Sequence, residues 1–103
     1  MSITAMIVDD ESFAREDLRY MLSDDPEIEV KWEADRVDEA KKLLADICPD
    51  VIFLDIDLRG GSGFEVVEDI DPGKTVVIFV TGHDEYKEQA LATGALDCIS
   101  KPV

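Results

Sequence analysis

The chain has 103 residues, enough for one domain, and 46% of them are apolar, so a buried core can form. Its net charge is −15, from 25 acidic and 10 basic residues, which argues against binding of nucleic acid or an anionic membrane because phosphates would be repelled. No apolar run reaches the ~18 residues of a membrane span, and no signal peptide follows Met1, so we expect a cytoplasmic protein. We also expect Cys48 and Cys98 to be reduced and at least half buried.

Short apolar runs alternate with segments of helical periodicity in the first half of the chain. A strand is predicted at Ile3–Val8, and a second, weaker one at Ile28–Ala34. Between and after them, two helices are predicted from apolar residues that share one helical face, and each helix ends before a proline, Pro26 or Pro49. The apolar residues are Ala14, Leu18, Met21 and Leu22 in the first helix and Ala40, Leu43, Leu44 and Ile47 in the second.

The same alternation continues in the second half. Strands are predicted at Val51–Leu54, at Val76–Val80 and, more weakly, at Leu96–Ile99. A third helix carries Phe64, Val67 and Ile70 and ends at Asp71-Pro72-Gly73. The fourth, around Glu85–Ala92, is the least hydrophobic, and we expect Ala90 and Leu91 to anchor it. Strict alternation of this kind predicts an α/β fold of three layers, with helices on both faces of an open, five-stranded parallel sheet.

Polar residues follow the predicted strands where ligands collect in such sheets, beyond the carboxyl ends. Asp9 and Asp10 follow the first strand, Asp55 and Asp57 the third, Thr81 the fourth and Lys101 the fifth. Acids brought together would repel one another, and a divalent ion such as Mg²⁺, which prefers oxygen ligands, would remove the repulsion. The plainer alternative is that Asp9 and Asp10 only favour the start of the following helix, where the helix dipole attracts acids.

A carboxylate in such a setting can attack phosphorus and form an aspartyl-phosphate. We therefore predict Asp55 as the phosphoacceptor, with Mg²⁺ bridging one phosphoryl oxygen. Lys101 would contact a second oxygen, and the Thr81 hydroxyl with nearby backbone N–H groups a third.

These residues resemble the response-regulator receiver domain of two-component signalling over the whole chain, 1–103. The resemblance rests on four segments: Ile7-Val8-Asp9-Asp10-Glu11, Val51–Leu58 with Gly63, Val80-Thr81-Gly82 and Lys101-Pro102. It implies a flavodoxin-like, doubly wound sheet with strand order 2-1-3-4-5. It also implies that Asp55 receives phosphate from a histidine kinase, that Asp9, Asp10 and Asp55 bind Mg²⁺ with the backbone carbonyl of Asp57, that Thr81 is the switch hydroxyl, and that Lys101 contacts the phosphoryl group.

The resemblance extends to a sub-family. Ser62-Gly63-Phe64-Glu65, Gly82–Tyr86 and Gly94–Asp97 are similar to receivers of the LytTR class, which usually precede a DNA-binding domain. Such a receiver is no turnover enzyme, although it can catalyse its own phosphorylation and slow dephosphorylation. It changes conformation to control an output domain or partner protein, commonly in transcription regulation, and a homodimer is a further expected partner.

Two features depart from the family pattern. Cys98 stands where the family usually carries Tyr or Phe on the fifth strand, so the usual aromatic signal to the partner surface is in doubt. The chain also ends at Val103, before the family's fifth helix, so we expect a C-terminally truncated receiver. We then expect a partner chain, or a tail of the same protein, to cover the apolar sheet surface that this helix would cover.

Two alternatives remain open from the sequence. Val51–Asp57 is similar to the opening motif of haloacid-dehalogenase-type phosphatases, but there the nucleophile lies on the first strand, and Leu58 departs from the motif. The other alternative is a receiver-like dimerisation module that is never phosphorylated. Receivers of that kind usually lack one or more site residues, whereas this chain keeps all five.

Overall fold

The five predicted strands form one parallel sheet in the computed structural model, which describes residues 2–101. In chain order they are β1 (Ile3–Val8), β2 (Ile28–Ala34), β3 (Val51–Leu54), β4 (Val76–Thr81) and β5 (Asp97–Ser100). Their spatial order is β2-β1-β3-β4-β5, and every neighbouring pair is parallel. The predicted α/β fold and its strand order 2-1-3-4-5 are therefore confirmed. Pro102 and Val103, and the predicted stop before a fifth helix, lie outside the described residues.

Four α-helices connect the strands, as predicted. They are α1 (Ser12–Leu22), α2 (Val37–Asp46), α3 (Gly63–Val67) and α4 (Lys87–Ala92), and a 3₁₀ turn at Asp84–Tyr86 precedes α4. The helix α3 ends at Val67, earlier than predicted, so Ile70 of the predicted apolar stripe lies beyond its end. A capping box starts this short helix: the Ser62 side chain accepts from the Phe64 amide, and the Glu65 carboxylate accepts from the Ser62 amide.

The helices cover both faces of the sheet, and a separate apolar cluster lies on each face. Leu18 and Leu22 of α1 pack on one face against residues such as Ile7, Phe53 and Val80. Helices α2, α3 and α4 cover the other face with buried residues that include Ala40, Val66 and Ala90. This is the three-layer arrangement expected of a doubly wound sheet.

Four details of the predicted burial are wrong. Met21 and Leu91 are 42% and 41% exposed, whereas Val66, which lies outside the predicted stripe of α3, is fully buried. Cys48 is also exposed, while Cys98 is buried as expected, and both thiols are free. Helices as short as α3 and α4 have too few apolar residues for the sequence to define which face is buried. The surface against which each helix packs decides which residues point inward.

The strand β5 lies one residue later than predicted. Leu96 is 70% exposed and precedes the strand, although its amide still donates to the Val77 carbonyl at 2.8 Å. Ser100 enters the strand instead and pairs with Thr81, and the strand now begins at Asp97, which pairs with Ile78. This shift is possible because β5 is an edge strand, where backbone pairing rather than burial defines the strand. Among residues 2–101, no helix is long and apolar enough to cross a bilayer.

Candidate functional site

Two buried carboxylates lie side by side at the carboxyl edge of the sheet. Asp9 follows β1 and Asp55 follows β3, and the two residues are 5% and 4% exposed. Both backbones continue the sheet pairing: the Asp9 amide donates to the Ala34 carbonyl at 3.0 Å, and the Asp55 amide to the Val8 carbonyl at 2.9 Å. The sheet itself therefore fixes the positions of these two acids.

Lys101 joins the two acids from the end of β5. Its Nζ lies 2.8 Å from Asp9 Oδ2 and 3.0 Å from Asp55 Oδ2. Its backbone amide donates to the Thr81 carbonyl at 2.8 Å, which extends the β4–β5 pairing by one residue. The ammonium thus lies between two buried carboxylates, held by the same sheet that holds them.

Glu11 is a third acid on this lysine, with Oε1 3.2 Å from Nζ. The sequence interpretation did not assign Glu11 a role. The signal that could have found it is the unbroken acidic run Asp9-Asp10-Glu11. The contact itself joins residues 90 positions apart in the chain, and only the folded sheet brings them together.

The electrostatics of the site follow from its burial. Burial raises the pKa of the Asp55 carboxyl to about 6; the hydrogen bond from Lys101 opposes that rise, and the negative charge of Asp9 adds to it. Burial also disfavours the charge of Lys101, but its bonds to Asp9 and Asp55 outweigh this effect and raise the pKa of the ammonium above its usual range. At neutral pH the site therefore holds an ionised Asp55 and a firmly protonated Lys101.

Four carboxylates converge here in a way that suits a divalent cation. Asp9, Asp10, Glu11 and Asp55 each place one ligand atom within 4.8 Å of the others. All of these donors are oxygens, the ligand type that Mg²⁺ prefers, and a single lysine cannot neutralise four acids. The donor set thus fits Mg²⁺.

Asp57 contributes to the site through its backbone and directs its side chain elsewhere. Its amide makes a long contact of 3.4 Å with Asp55 Oδ1. Its carboxylate is exposed and lies 3.1 Å from His83 Nε2, on the loop after β4. The prediction that the Asp57 carbonyl is a metal ligand stays a prediction.

Thr81, at the end of β4, is buried next to the site with 1% of its surface exposed. Its hydroxyl accepts a hydrogen bond from the His83 amide at 3.1 Å. Within the described part of the chain, no hydrogen bond joins this hydroxyl to Asp55. The structure therefore brings Asp9, Asp10, Asp55 and Lys101 together and leaves the Thr81 hydroxyl bonded to its own loop.

Gly63 is packed against the backbone of Asp55. Its amide donates to the Ile56 carbonyl at 2.7 Å, and an added Cβ would lie 2.2 Å from the Asp55 carbonyl oxygen. Contacts below 3.0 Å are essentially never seen for a real Cβ, and the neighbour here is backbone, which cannot swing away. Only glycine fits this position.

Gly63→Ala is therefore expected to lower the free energy of unfolding by about 2–3 kcal/mol, because α3 and the Asp55 backbone must move apart. Denaturant unfolding of the two proteins measures this difference. Gly82→Ala is the control, since a Cβ there meets nothing within 4 Å. Equal stability of the Gly63 and Gly82 variants would contradict the close approach.

Cys98 occupies the second position of β5 and is 5% exposed, beside Phe79 of β4 in the sheet register. Burial raises the pKa of its thiol. Phe79 belongs to an aromatic cluster whose other members lie outside the sheet: Phe64 lies 5.4 Å from Phe79, and Tyr86 lies edge-on to Phe64 at 6.4 Å. The departure noted in the sequence thus corresponds to a small buried side chain on β5.

Comparisons with known proteins agree with this geometry. A family model described as response regulator receiver domain matches residues 5–103. The sensory transduction protein LytT of Bacillus cereus is 39% identical over 102 residues, covering 97% of this chain and 42% of LytT. The transcriptional regulatory protein BtsR of Salmonella typhi is also 39% identical over 102 residues, covering 98% of this chain and 43% of BtsR.

Among solved structures, the response regulatory domain of mrkE from Klebsiella pneumoniae superposes with a TM-score of 0.89 at 27% identity. The match covers 98% of this chain and 84% of that domain. In contrast, the chain spans about two fifths of the length of the curated relatives LytT and BtsR. A family match over nearly the whole chain, together with the fold, shows that this protein belongs to the response regulator receiver domain family.

Proposed function

We propose that Asp55 accepts a phosphoryl group from the phosphohistidine of a histidine kinase. The observation that carries the proposal is the buried Asp55 carboxylate, bonded to Lys101 within a cluster of four acids. Receivers belong to two-component response regulators and are not turnover enzymes, so one phosphoryl group per chain is the expected product.

The transfer needs one nucleophile and neutralised charge. An Asp55 carboxylate oxygen forms a bond to phosphorus while the phosphorus–nitrogen bond to the donor histidine breaks, and the imidazole leaves with the electron pair. With a pKa of about 6, Asp55 is mostly ionised at pH 7.5 and can act as the nucleophile. The Lys101 ammonium, already 3.0 Å from Asp55 Oδ2, would contact a phosphoryl oxygen.

The acidic residues would hold Mg²⁺ during this reaction. Its ligands would be the carboxylates of Asp9, Asp10 and Asp55 and the backbone carbonyl of Asp57. When bound, the ion neutralises negative charge on the phosphoryl oxygens. The four converging carboxylates support this assignment, because their mutual repulsion is relieved by a divalent cation.

Thr81 would act as the switch hydroxyl. It lies at the carboxyl end of β4, beside the end of β3 that Asp55 follows, and its hydroxyl would turn from the His83 amide toward a phosphoryl oxygen. This change would move the loop that leads into α4. A receiver of this kind favours one of two conformations according to its phosphorylation, and its output partner binds one of them better.

The chain would serve as the receiver domain, residues 1–103, of a longer response regulator. The curated relatives continue well beyond the matched region, which supports an output domain in the remainder. BtsR is named a transcriptional regulatory protein, and this supports a role in transcription regulation. The net charge of −15 argues against nucleic-acid binding by this segment itself. Phosphorylation would instead act through formation of a homodimer or through release of the output domain, in the cytoplasm.

The direct test is incubation with acetyl phosphate and Mg²⁺, followed by intact-mass measurement. A receiver gains the mass of one phosphoryl group per chain and releases phosphate slowly. A phosphatase of the haloacid-dehalogenase type would turn over many equivalents, and a dimerisation module would gain no mass. Membership of the receiver family favours the first outcome.

Lys101→Met should destabilise the metal-free protein by about 2–3 kcal/mol, because Asp9 and Asp55 lose their shared ammonium and remain buried. Unfolding in denaturant with EDTA measures the loss, and added Mg²⁺ should recover part of it. Lys41→Met is the matched control, since its ion pair with Asp69 is 3.7 Å long and partly open to solvent. A loss no larger than that of the control would contradict the proposed role of Lys101 as the counter-ion of the site.

A further inference from the structure

The loop between β4 and α4, residues 82–86, is tied to its surroundings on two sides. On one side the Ser100 hydroxyl, at the end of β5, donates a hydrogen bond to Asp84 Oδ1. On the other side His83 Nε2 lies 3.1 Å from Asp57 Oδ2, on the segment after β3. The loop is thus joined to both neighbouring strand ends.

These two contacts hold the loop in a position in which the Thr81 hydroxyl is hydrogen-bonded to the loop. Because the His83 amide donates to Thr81 Oγ1, a turn of the hydroxyl toward Asp55 breaks this bond unless His83 moves with it. A shift of His83 would strain its contact with Asp57 and, through the next residue, the bond between Asp84 and Ser100.

The far end of the loop has a fixed anchor. The half-buried Tyr86 ring packs edge-on against Phe64 at 6.4 Å, and Ala90 of the following helix is fully buried. Rearrangement is therefore confined to the short stretch between Thr81 and Tyr86. Gly82 lies in this stretch, and a Cβ added to it would meet nothing within 4 Å, so no neighbour packs against that side of the backbone.

Ser100 also links the loop to the phosphoacceptor. It directly precedes Lys101, whose ammonium is bonded to Asp55, and it pairs with Thr81 in the β4–β5 register. A change at Asp55 that moves Lys101 or Thr81 therefore also moves the end of β5, where Ser100 is hydrogen-bonded to the loop.

We infer that the Ser100–Asp84 hydrogen bond is a restraint, supported by the His83–Asp57 contact, that holds the loop in its resting position and limits phosphorylation. The inference rests on the proposed function of Asp55. Both contacts are solvent-exposed, so their effect is modest: loss of the Ser100 hydroxyl should raise the population of the competent state about threefold to tenfold.

Ser100→Ala in the full chain tests this, with Ser23→Ala as the matched control. Ser23 also donates an exposed hydroxyl hydrogen bond, to the Tyr20 carbonyl, but at the end of α1 and away from the site. The first readout is hydrogen exchange of the His83 amide without any phosphodonor. The second is the rate of phosphorylation by acetyl phosphate with Mg²⁺.

Ser100→Ala should speed both exchange of the His83 amide and phosphorylation about threefold to tenfold, while Ser23→Ala changes neither. Asp84→Ala should match Ser100→Ala, and the double variant should show no further increase, because one bond is lost in all three. Unchanged exchange in Ser100→Ala, or faster exchange with unchanged phosphorylation, would overturn the restraint. Absence of phosphorylation in the wild-type protein would instead overturn the proposed function, and the exchange readout would still report on the loop.

Discussion

Asp55→Asn is expected to abolish the phosphoryl adduct that acetyl phosphate and Mg²⁺ form on the wild-type protein. The amide that replaces the carboxylate is not a nucleophile toward phosphorus, and the substitution removes one of the four converging carboxylates. Intact mass should show one added phosphoryl group on the wild type and none on the variant.

The control for this experiment is Asp50→Asn. Asp50 immediately precedes β3, the strand that Asp55 follows, so the two acids mark opposite ends of one strand. Its exposed carboxylate accepts hydrogen bonds from the Thr4 amide at 2.8 Å and hydroxyl at 3.0 Å, away from the acidic cluster. Asp50→Asn should keep the adduct. An adduct of undiminished yield on folded Asp55→Asn protein would show that another residue accepts the phosphoryl group.

The same Asp55→Asn substitution should stabilise the metal-free protein at neutral pH. Burial raises the pKa of Asp55 to about 6, so the folded state disfavours the ionised carboxylate compared with the unfolded state, whose pKa is about 3.9. A difference of about two pKa units corresponds to about 3 kcal/mol. The neutral amide avoids this cost, and a gain of about 2–3 kcal/mol is expected at pH 7.5.

The sign of the pH dependence follows from the raised pKa. Below about pH 3 the Asp55 carboxyl is protonated in both states and costs nothing. The cost then grows as the pH rises from about 4 to 6, and above pH 6 it is fully present. The stability difference between Asp55→Asn and wild type should therefore be small at pH 4 and constant above pH 7.

Denaturant unfolding with EDTA across this pH range measures the difference. Mg²⁺ should narrow it, because an ion at one hundred times its dissociation constant stabilises the folded wild type by about 2.7 kcal/mol. Asp50→Asn should have the opposite sign, since hydrogen bonds from Thr4 lower the pKa of Asp50 and its ionised form favours folding. Wild type and Asp55→Asn of equal stability at every pH would contradict the buried, metal-free carboxylate described above.

Much of the fold could be predicted because its signals are local. The apolar runs at Ile3–Val8 and Val51–Leu54 coincide with strands, since burial on both faces of a parallel sheet requires nearly continuous hydrophobicity. The weaker strand at Ile28–Ala34 alternates apolar and charged residues and is only partly buried, as an edge strand allows. Alternation with helices then restricts the topology, because parallel strands need crossover connections of one hand. Asp9, Asp55 and Lys101 meet for the same reason: parallel strands deliver their carboxyl ends to one edge.

The remaining features depend on contacts between distant segments, which no local pattern encodes. The burial of Val66 and the exposure of Leu91 are set by how α3 and α4 pack on the sheet. Likewise, the bond of Glu11 to Lys101 and that of Ser100 to Asp84 depend on strand register and loop conformation.

By itself, the sequence determined the order of elements, the sheet and the set of residues at its carboxyl edge. The tertiary structure alone decided which of those residues touch. It placed the Lys101 ammonium between Asp9 and Asp55, and it bonded the Thr81 hydroxyl to the His83 amide instead of to Asp55. The physical reason is that strand ends are specified by short-range hydrophobic patterns, whereas side-chain contacts such as those of Lys101 with Asp55 and Glu11, 46 and 90 positions away in the chain, depend on packing and electrostatics in the folded chain.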